Sequence, residues 1–152
     1  MNKKPEKPVG LIYFYNNVVF GRNIEDISHE ESVRTVEGNP STINWIIGHL
    51  LHNRLHIIRN ILNKDVQTGL NLDDLYKGGT KPDAGTAINL EDLKNFFNTT
   101  QGIISESIHD EDAIAKESQD KINQLAFFSF HEAYHLGQLG ILRKMLGKQG
   151  AI

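Results

Sequence analysis

Two histidines four residues apart, His131 and His135, are the side chains of this sequence best suited to chemistry. On a helix they lie one turn apart on the same side, so both imidazoles can bind one metal ion. The segment 131–135 reads HEAYH and so matches H-E-x-x-H, in which two zinc ligands and a glutamate general base share a helix. The spacing therefore predicts a metal site, with a zinc protease as one interpretation.

The position of the motif argues against the protease. Only seventeen residues follow His135, and none of them is His, Asp or Glu, whereas the third zinc ligand of such enzymes ordinarily comes from later in the chain. Glu132 also projects roughly 100° away from His131 on a helix. We therefore expect Glu132 on the helix surface or behind the metal ligands, rather than as a general base.

The helix that carries the histidine pair has a broad apolar arc when it is projected at about 100° per residue. His131 and His135 fall near the centre of this arc, with Gln124 and Gln138 on the same line. A buried polar group without a partner costs about 1–3 kcal/mol. A shared metal is favoured over hydrogen bonds to carbonyls or glutamines. The arc contains Phe127, Phe128, Tyr134, Leu139, Leu142, Met145 and Leu146.

A third metal ligand is available on an earlier predicted helix. His49, His52 and His56 recur there at positions i, i+3 and i+7 on one side. Their spacing does not choose between them, and at least two are expected to be surface histidines. His29 and His109 lie in charged, loop-like segments and are expected to be solvated.

Four helices are predicted from apolar residues at helical spacing, although a strand is an alternative for the first because of its β-branched and aromatic residues. Residues 64–89 lack a period and are predicted as a long crossover loop, with one helical turn near 72–76. These elements predict an all-α, four-helix bundle with a long crossover between the second and third helices. The predicted helices cover about 9–23, 41–63, 89–109 and 118–146.

Length and composition limit the classes of protein to consider. The 152 residues suit one domain over 9–152, with residues 1–8, rich in lysine and proline, as a disordered or loosely docked arm. A net charge of −3 gives no basic surface for nucleic acid, and no segment approaches the roughly twenty apolar residues that span a membrane. We expect a cytoplasmic protein. It has no cysteine, so any thiol chemistry must use a thiol from a small molecule.

The sequence resembles the DinB/YfiT-like family in two segments. Residues 44–50 (NWIIGHL) resemble the family's segment with the first metal histidine, and residues 131–138 (HEAYHLGQ) resemble its last helix, where an H-x3-H pair completes a three-histidine site. The order of helices and the long second connection also match, so the resemblance covers nearly the whole chain. The N-terminal third matches least, and no functional residue is assigned there.

The resemblance implies that His49, with His131 and His135, binds a divalent ion, most often zinc or nickel. Family members include transferases that use low-molecular-weight thiols and metal-dependent hydrolases, which implies a small-molecule substrate and a thiol cosubstrate. A non-catalytic metal-binding or stress-response bundle is the alternative.

Two further residues lie near the predicted site. Gln138, one turn beyond His135, is expected either to orient the site or to fill a polar gap in the core. Trp45 is expected to line a pocket or to pack in the core or an interface. Small residues on the other side of the last helix predict close helix packing within the chain or a homodimer contact: Ala126, Ala133, Gly137 and Gly140.

Overall fold

The computed structural model describes residues 7–152, and within that range the regular secondary structure is all helical, without a strand. The all-α prediction is confirmed, and the strand alternative for the first segment is wrong. Residues 1–6 of the predicted N-terminal arm lie outside the described residues, and Pro8 already belongs to a helix. The helices are Pro8–Ile24 (α1), His29–Ser32 (α2), Ile43–His56 (α3), Leu72–Tyr76 (α4), Leu90–Ser107 (α5), Glu111–Glu117 (α6) and Gln119–Met145 (α7).

The ends of the long helices follow from capping residues in the sequence. Thr42, Asn89 and Ser118 each accept a hydrogen bond from a backbone N–H in the first turn of α3, α5 and α7. Gly147 follows α7 with a φ of +85°, which a glycine adopts at low cost. Beyond His56, α3 continues as a π-helical turn over Ile57–Ile61. The short helices α2 and α6 were not predicted.

The four long helices pack around one apolar core. α1 lies against α5 and α7, and α3 lies against the same two helices. Apolar side chains from all four, such as Phe20, Ile47, Phe97 and Leu139, are at most 2% exposed. Across residues 7–152 no helix is both long enough and apolar enough to cross a bilayer.

Polar side chains fix α1 against α7. The Tyr13 hydroxyl donates to the Leu125 carbonyl, and the Asn16 amide donates to the Ser129 carbonyl, both at 3.0 Å. The Asn23 amide likewise donates to the Leu136 carbonyl, at 3.3 Å. These bonds join residues more than a hundred positions apart, so they set the register of the two helices.

The predicted apolar arc of α7 coincides only in part with the buried face: Leu139 and Leu142 are fully buried, but other members of the arc are not. Phe127 is 59% exposed, Tyr134 is 58% exposed and Met145 is 48% exposed. The buried residues follow a spacing of alternately four and three residues as far as Leu139, and three of the seven are polar. His131 and His135 are half-buried beside this stripe, not at its centre. The stripe consists of Leu125, Ser129, Glu132, Leu136, Leu139, Leu142 and Arg143.

The predicted crossover contains α4, at the predicted helical turn, and α4 docks on α3. The Tyr76 hydroxyl donates to Asn44 Oδ1 at 2.8 Å and accepts from the Ile88 N–H at 2.9 Å. The ring of Tyr76 lies so close to Gly48 that a Cβ there would come within 2.2 Å of it. A glycine before His49 therefore lets the crossover reach the helix that carries that histidine.

Candidate metal centre

Three histidines from two helices bring their ring nitrogens together. One nitrogen from each of His49 on α3 and His131 and His135 on α7 lies within 4.8 Å of the others, and this group could hold a metal ion. His131 Nε2 and His135 Nε2 are 3.2 Å apart. In a tetrahedral zinc site with bonds of about 2.0–2.1 Å, neighbouring ligand atoms lie roughly 3.3 Å apart. The α7 pair therefore already has the spacing of one edge of such a site.

His49 is held by the crossover. Its Nδ1 lies 2.9 Å from the Tyr76 carbonyl oxygen, which can only accept, so Nδ1 carries the proton and donates. The Nε2 lone pair then lies on the side of the other two rings, where Asn53 Nδ2 is 3.3 Å away. A carbonyl behind the ring in this way fixes the tautomer and orientation of a metal-binding histidine.

His135 is held in the same way by a side chain of its own helix. Its Nδ1 lies 2.7 Å from Gln138 Oε1, so the amide oxygen accepts the proton and leaves Nε2 as an acceptor. Gln138 therefore orients His135, and it does not fill a gap in the core. The ring of Tyr134 meets His135 edge-on at 5.2 Å between centroids.

His131 has a partner that the sequence interpretation missed. Asn53 lies one turn after His49 on α3, and its Nδ2 is 3.4 Å from His131 Nδ1 and 3.3 Å from His49 Nε2. An asparagine at i+4 from a predicted ligand was the available signal, because residues at that spacing lie on one helix face.

The three imidazoles are kept neutral by their surroundings. Burial is the main cause that lowers the pKa of His49, His131 and His135, because it penalises the charged form. The neighbouring imidazoles lower the pKa of His49 and His135 further. The Tyr76 carbonyl partly opposes the lowered pKa at His49, and Gln138 does so at His135. The charge of Glu132 partly opposes it at His131. Neutral imidazoles with lone pairs are the form that binds metal.

Trp45 contacts the cluster but lies outside it. Its ring stacks on His49 with centroids 4.9 Å apart, and its Nε1 donates to Thr80 Oγ1 at 3.0 Å. It also lines a cavity of about 310 Å³ between α3 and the crossover. Trp45 therefore forms one wall between His49 and a space large enough for a small molecule.

The remaining histidines do not join the group. His52 Nδ1 lies 3.0 Å from Asp73 Oδ1, and His56 is exposed beside Phe128. His109 is exposed, as expected. The solvated assignment of His29 is wrong, because its Nδ1 accepts from the Leu90 N–H at the start of α5, at 3.1 Å.

Glu132 belongs to the core. It is 3% exposed and forms a two-point ion pair with the fully buried Arg54, at 2.7 and 2.8 Å. The other Arg54 donors reach the Phe97 carbonyl, Thr100 Oγ1 and Gln101 Oε1 at 3.0–3.2 Å. The helix-surface assignment of Glu132 is wrong, and its carboxylate is engaged away from the histidine nitrogens.

Comparisons with known proteins do not add to this geometry. The chain matches no family model, and no curated protein or solved structure matches it. The interpretation of the site rests on its residues.

Proposed function

We propose that this protein binds one divalent metal ion, zinc or nickel, through His49, His131 and His135. The observation that carries the proposal is the pattern of hydrogen bonds behind the rings. The Tyr76 carbonyl and Gln138 Oε1 accept hydrogen bonds from the Nδ1–H groups of His49 and His135, so that the Nε2 lone pairs of these two rings face the cluster. Neutral imidazoles that converge on one place, with hydrogen-bond acceptors behind them, are ligands that these metals prefer.

The fold supports a DinB-like assignment. The mutual packing of α1, α3, α5 and α7, with α4 in the connection between α3 and α5, fits a four-helix bundle with a long crossover between its second and third helices. In the DinB/YfiT-like family this arrangement carries the three-histidine site. His49 lies in the GHL segment of that resemblance, and the α7 pair lies in its H-x3-H segment.

We further propose that the site is catalytic and acts on a small molecule. Among residues 7–152 the cluster has three members and no carboxylate joins it, which leaves a coordination position open, as in catalytic zinc sites. A bound divalent ion supplies the charge that makes a water or a thiol nucleophilic at neutral pH. Because the chain has no cysteine, an S-transferase reaction needs a low-molecular-weight thiol as cosubstrate. Hydrolysis needs water alone.

The zinc-protease alternative needs Glu132 as a general base, and Glu132 is already engaged in the ion pair. Both oxygens of Glu132 accept from Arg54, and removing a partner from a buried ion pair is strongly unfavourable. The H-E-x-x-H match therefore combines two candidate ligands with a structural glutamate.

Metal analysis of single variants tests the binding proposal. Wild-type protein saturated with zinc and dialysed is expected to hold one ion per chain, and His131→Ala is expected to hold none. His56→Ala is the matched control, because that histidine lies on the same helix as His49 but outside the cluster, and it should retain the ion. Equal zinc content in His131→Ala and wild type would contradict the three-histidine site.

An activity panel separates the catalytic interpretations. Zinc- and nickel-loaded proteins are assayed with small thiols plus an electrophile, and separately with esters and amides, with His131→Ala as the blank. Thiol conjugation that is lost in the blank supports the transferase, and ester or amide turnover supports the hydrolase. Tight binding of the ion without turnover in any assay would favour the non-catalytic alternative.

A further inference from the structure

Asn53 links the three histidines into one chain of hydrogen bonds. Its Nδ2 carries two N–H donors and lies 3.3 Å from His49 Nε2 and 3.4 Å from His131 Nδ1. His131 Nε2 in turn lies 3.2 Å from His135 Nε2. The network runs from the Tyr76 carbonyl through the rings to Gln138.

The two ends of this network determine the proton positions along it. The Tyr76 carbonyl requires a proton on His49 Nδ1, so His49 Nε2 accepts one N–H of Asn53. Gln138 Oε1 requires a proton on His135 Nδ1, so His135 Nε2 accepts from His131. A neutral His131 therefore carries its proton on Nε2 and accepts the second N–H of Asn53 at Nδ1. Every donor and acceptor of the three neutral rings is paired in this way.

That arrangement is incompatible with metal binding at His131 Nε2, because this nitrogen holds a proton. We propose that Asn53 is a positioning residue that switches with the metal. On metal binding its amide turns over, so that Oδ1 accepts from His131 Nδ1, while His49 Nε2 is released to the ion. This inference rests on the metal-binding function proposed above. One proton leaves His131 Nε2 and one joins Nδ1, so the ring stays neutral.

The substitution Asn53→Asp tests the switch through metal affinity. A carboxylate can only accept, so it favours the His131 tautomer that binds metal and cannot pair with the lone pair of His49 Nε2. Zinc binding is expected to tighten on the order of tenfold, since hydrogen-bond partners of metal-binding histidines typically change affinity by about 10–100-fold. Competition with a chromophoric chelator measures the change.

The chain offers a matched control for the added charge. Asn60 lies two turns beyond Asn53 and also contacts the histidine four residues before it, with Nδ2 3.0 Å from His56 Nδ1, but this exposed pair lies outside the cluster. Asn60→Asp should leave zinc affinity within about twofold of wild type. Equal tightening in both variants would assign the effect to net charge and overturn the proposal.

Truncation of Asn53 distinguishes a positioning residue from a metal ligand. Asn53→Ala removes a partner from both the metal-free and the metal-bound state, so zinc affinity is expected to change less than about tenfold. A loss greater than about a hundredfold would show that Asn53 binds the ion directly, and would overturn the switch.

Imidazole ¹⁵N–¹H correlation spectra of the wild-type protein give a readout independent of affinity. In the metal-free protein His131 should carry Nε2–H, and with zinc it should carry Nδ1–H. His49 and His135 should keep Nδ1–H in both states. Zinc binding without this change at His131 would overturn the switch alone, whereas a wild-type protein that binds no zinc would overturn the proposed function as well.

Discussion

Two polar clusters lie where α3 packs against α7, and they are built from adjacent residues with different roles. Asn53 and His131 belong to the histidine cluster, and their neighbours Arg54 and Glu132 form the buried ion pair. All five N–H donors of Arg54 have fixed acceptors, and its guanidinium lies 3.6 Å over the ring of Phe97. His49 is buried, His131 and His135 are half-buried, and one nitrogen of each ring lies near the others. The Arg54 network pairs a buried charge with its counter-charge and holds the fold together, whereas the neutral rings of the histidine cluster can exchange hydrogen bonds among themselves for bonds to a cation.

The largest effect on stability is expected when the ion pair between Arg54 and Glu132 is broken. Glu132→Ala leaves Arg54 buried and unpaired, and removal of one partner of such a pair costs about 3–5 kcal/mol. His131→Ala, one residue away, should change the unfolding free energy of the metal-free protein by less than about 1.5 kcal/mol, because the ring is only half-buried. Urea denaturation of both metal-free variants measures the contrast.

A double variant shows whether stability depends on the ion pair itself or only on the packing of its two side chains. Arg54→Met with Glu132→Leu removes both charges together, and such replacements are often neutral or stabilising. We expect this variant to regain most of the stability lost in Glu132→Ala. Equal losses in His131→Ala and Glu132→Ala would erase the distinction between the two clusters.

A methyl group at Gly48 is expected to affect the histidine cluster through the crossover. Its Cβ would come within 2.2 Å of the Tyr76 ring, so Gly48→Ala must displace Tyr76 and the carbonyl that holds His49. We expect a loss of about 1–3 kcal/mol from overpacking, together with weaker zinc binding. Calorimetric melting and a zinc titration measure the two effects.

Gly102 provides the control for this substitution. It lies within α5, and a Cβ there meets nothing within 4 Å. Gly102→Ala should therefore be neutral or stabilise the helix by up to about 1 kcal/mol and leave zinc affinity unchanged. A Gly48→Ala variant that behaves like Gly102→Ala would show that the crossover does not position His49.

Removal of Gln138 should affect metal affinity and leave the fold intact. Without its Oε1, His135 loses the acceptor that fixes its tautomer, and zinc affinity should fall on the order of tenfold. Gln138→Glu keeps an acceptor at that place and should retain the affinity. A Gln138→Ala variant with wild-type affinity and stability would mean that the contact at 2.7 Å is incidental.

The sequence predicted the helices well because their signals are local. Thr42, Asn89 and Ser118 cap α3, α5 and α7 through bonds within one turn, and Gly147 follows the end of α7. The predicted ranges 89–109 and 118–146 accordingly begin at the residues that cap α5 and α7. The i, i+4 spacing on α7 likewise placed two of the candidate ligands side by side. The choice of His49 came from the resemblance, because three histidines on α3 share one side.

The buried face of α7 could not be found from hydrophobicity. Ser129, Glu132 and Arg143 are three of its seven buried residues, and partners distant in sequence make the burial of the two charged side chains tolerable. Arg54 pairs with Glu132, and Arg143 donates to the carbonyls of Asn23 and Glu25. Meanwhile Phe127 and Phe130 stay exposed. A pattern based on apolar residues alone therefore finds only part of the buried side, such as Leu139 and Leu142.

The smallest expected effect is a pH dependence carried by the histidine cluster. The folded-state pKa values of His49, His131 and His135 are lowered, chiefly by burial, so the unfolded chain takes up their protons first as the pH falls. The stability of the metal-free protein should be fully retained above the usual histidine pKa of about 6.5. It should decline as the pH falls from there toward the lowered values, and this decline should then level off.

His135→Gln removes one of these titrating rings and should make the decline in stability between pH 7 and 5 less steep. His56→Ala removes an exposed ring and should not. Urea denaturation of the metal-free proteins across that range measures both slopes. Parallel slopes for wild type and His135→Gln would mean that burial in the cluster does not hold its imidazoles neutral. The electrostatic contrast with the saturated Arg54 network would then fail, even if the metal site itself stands.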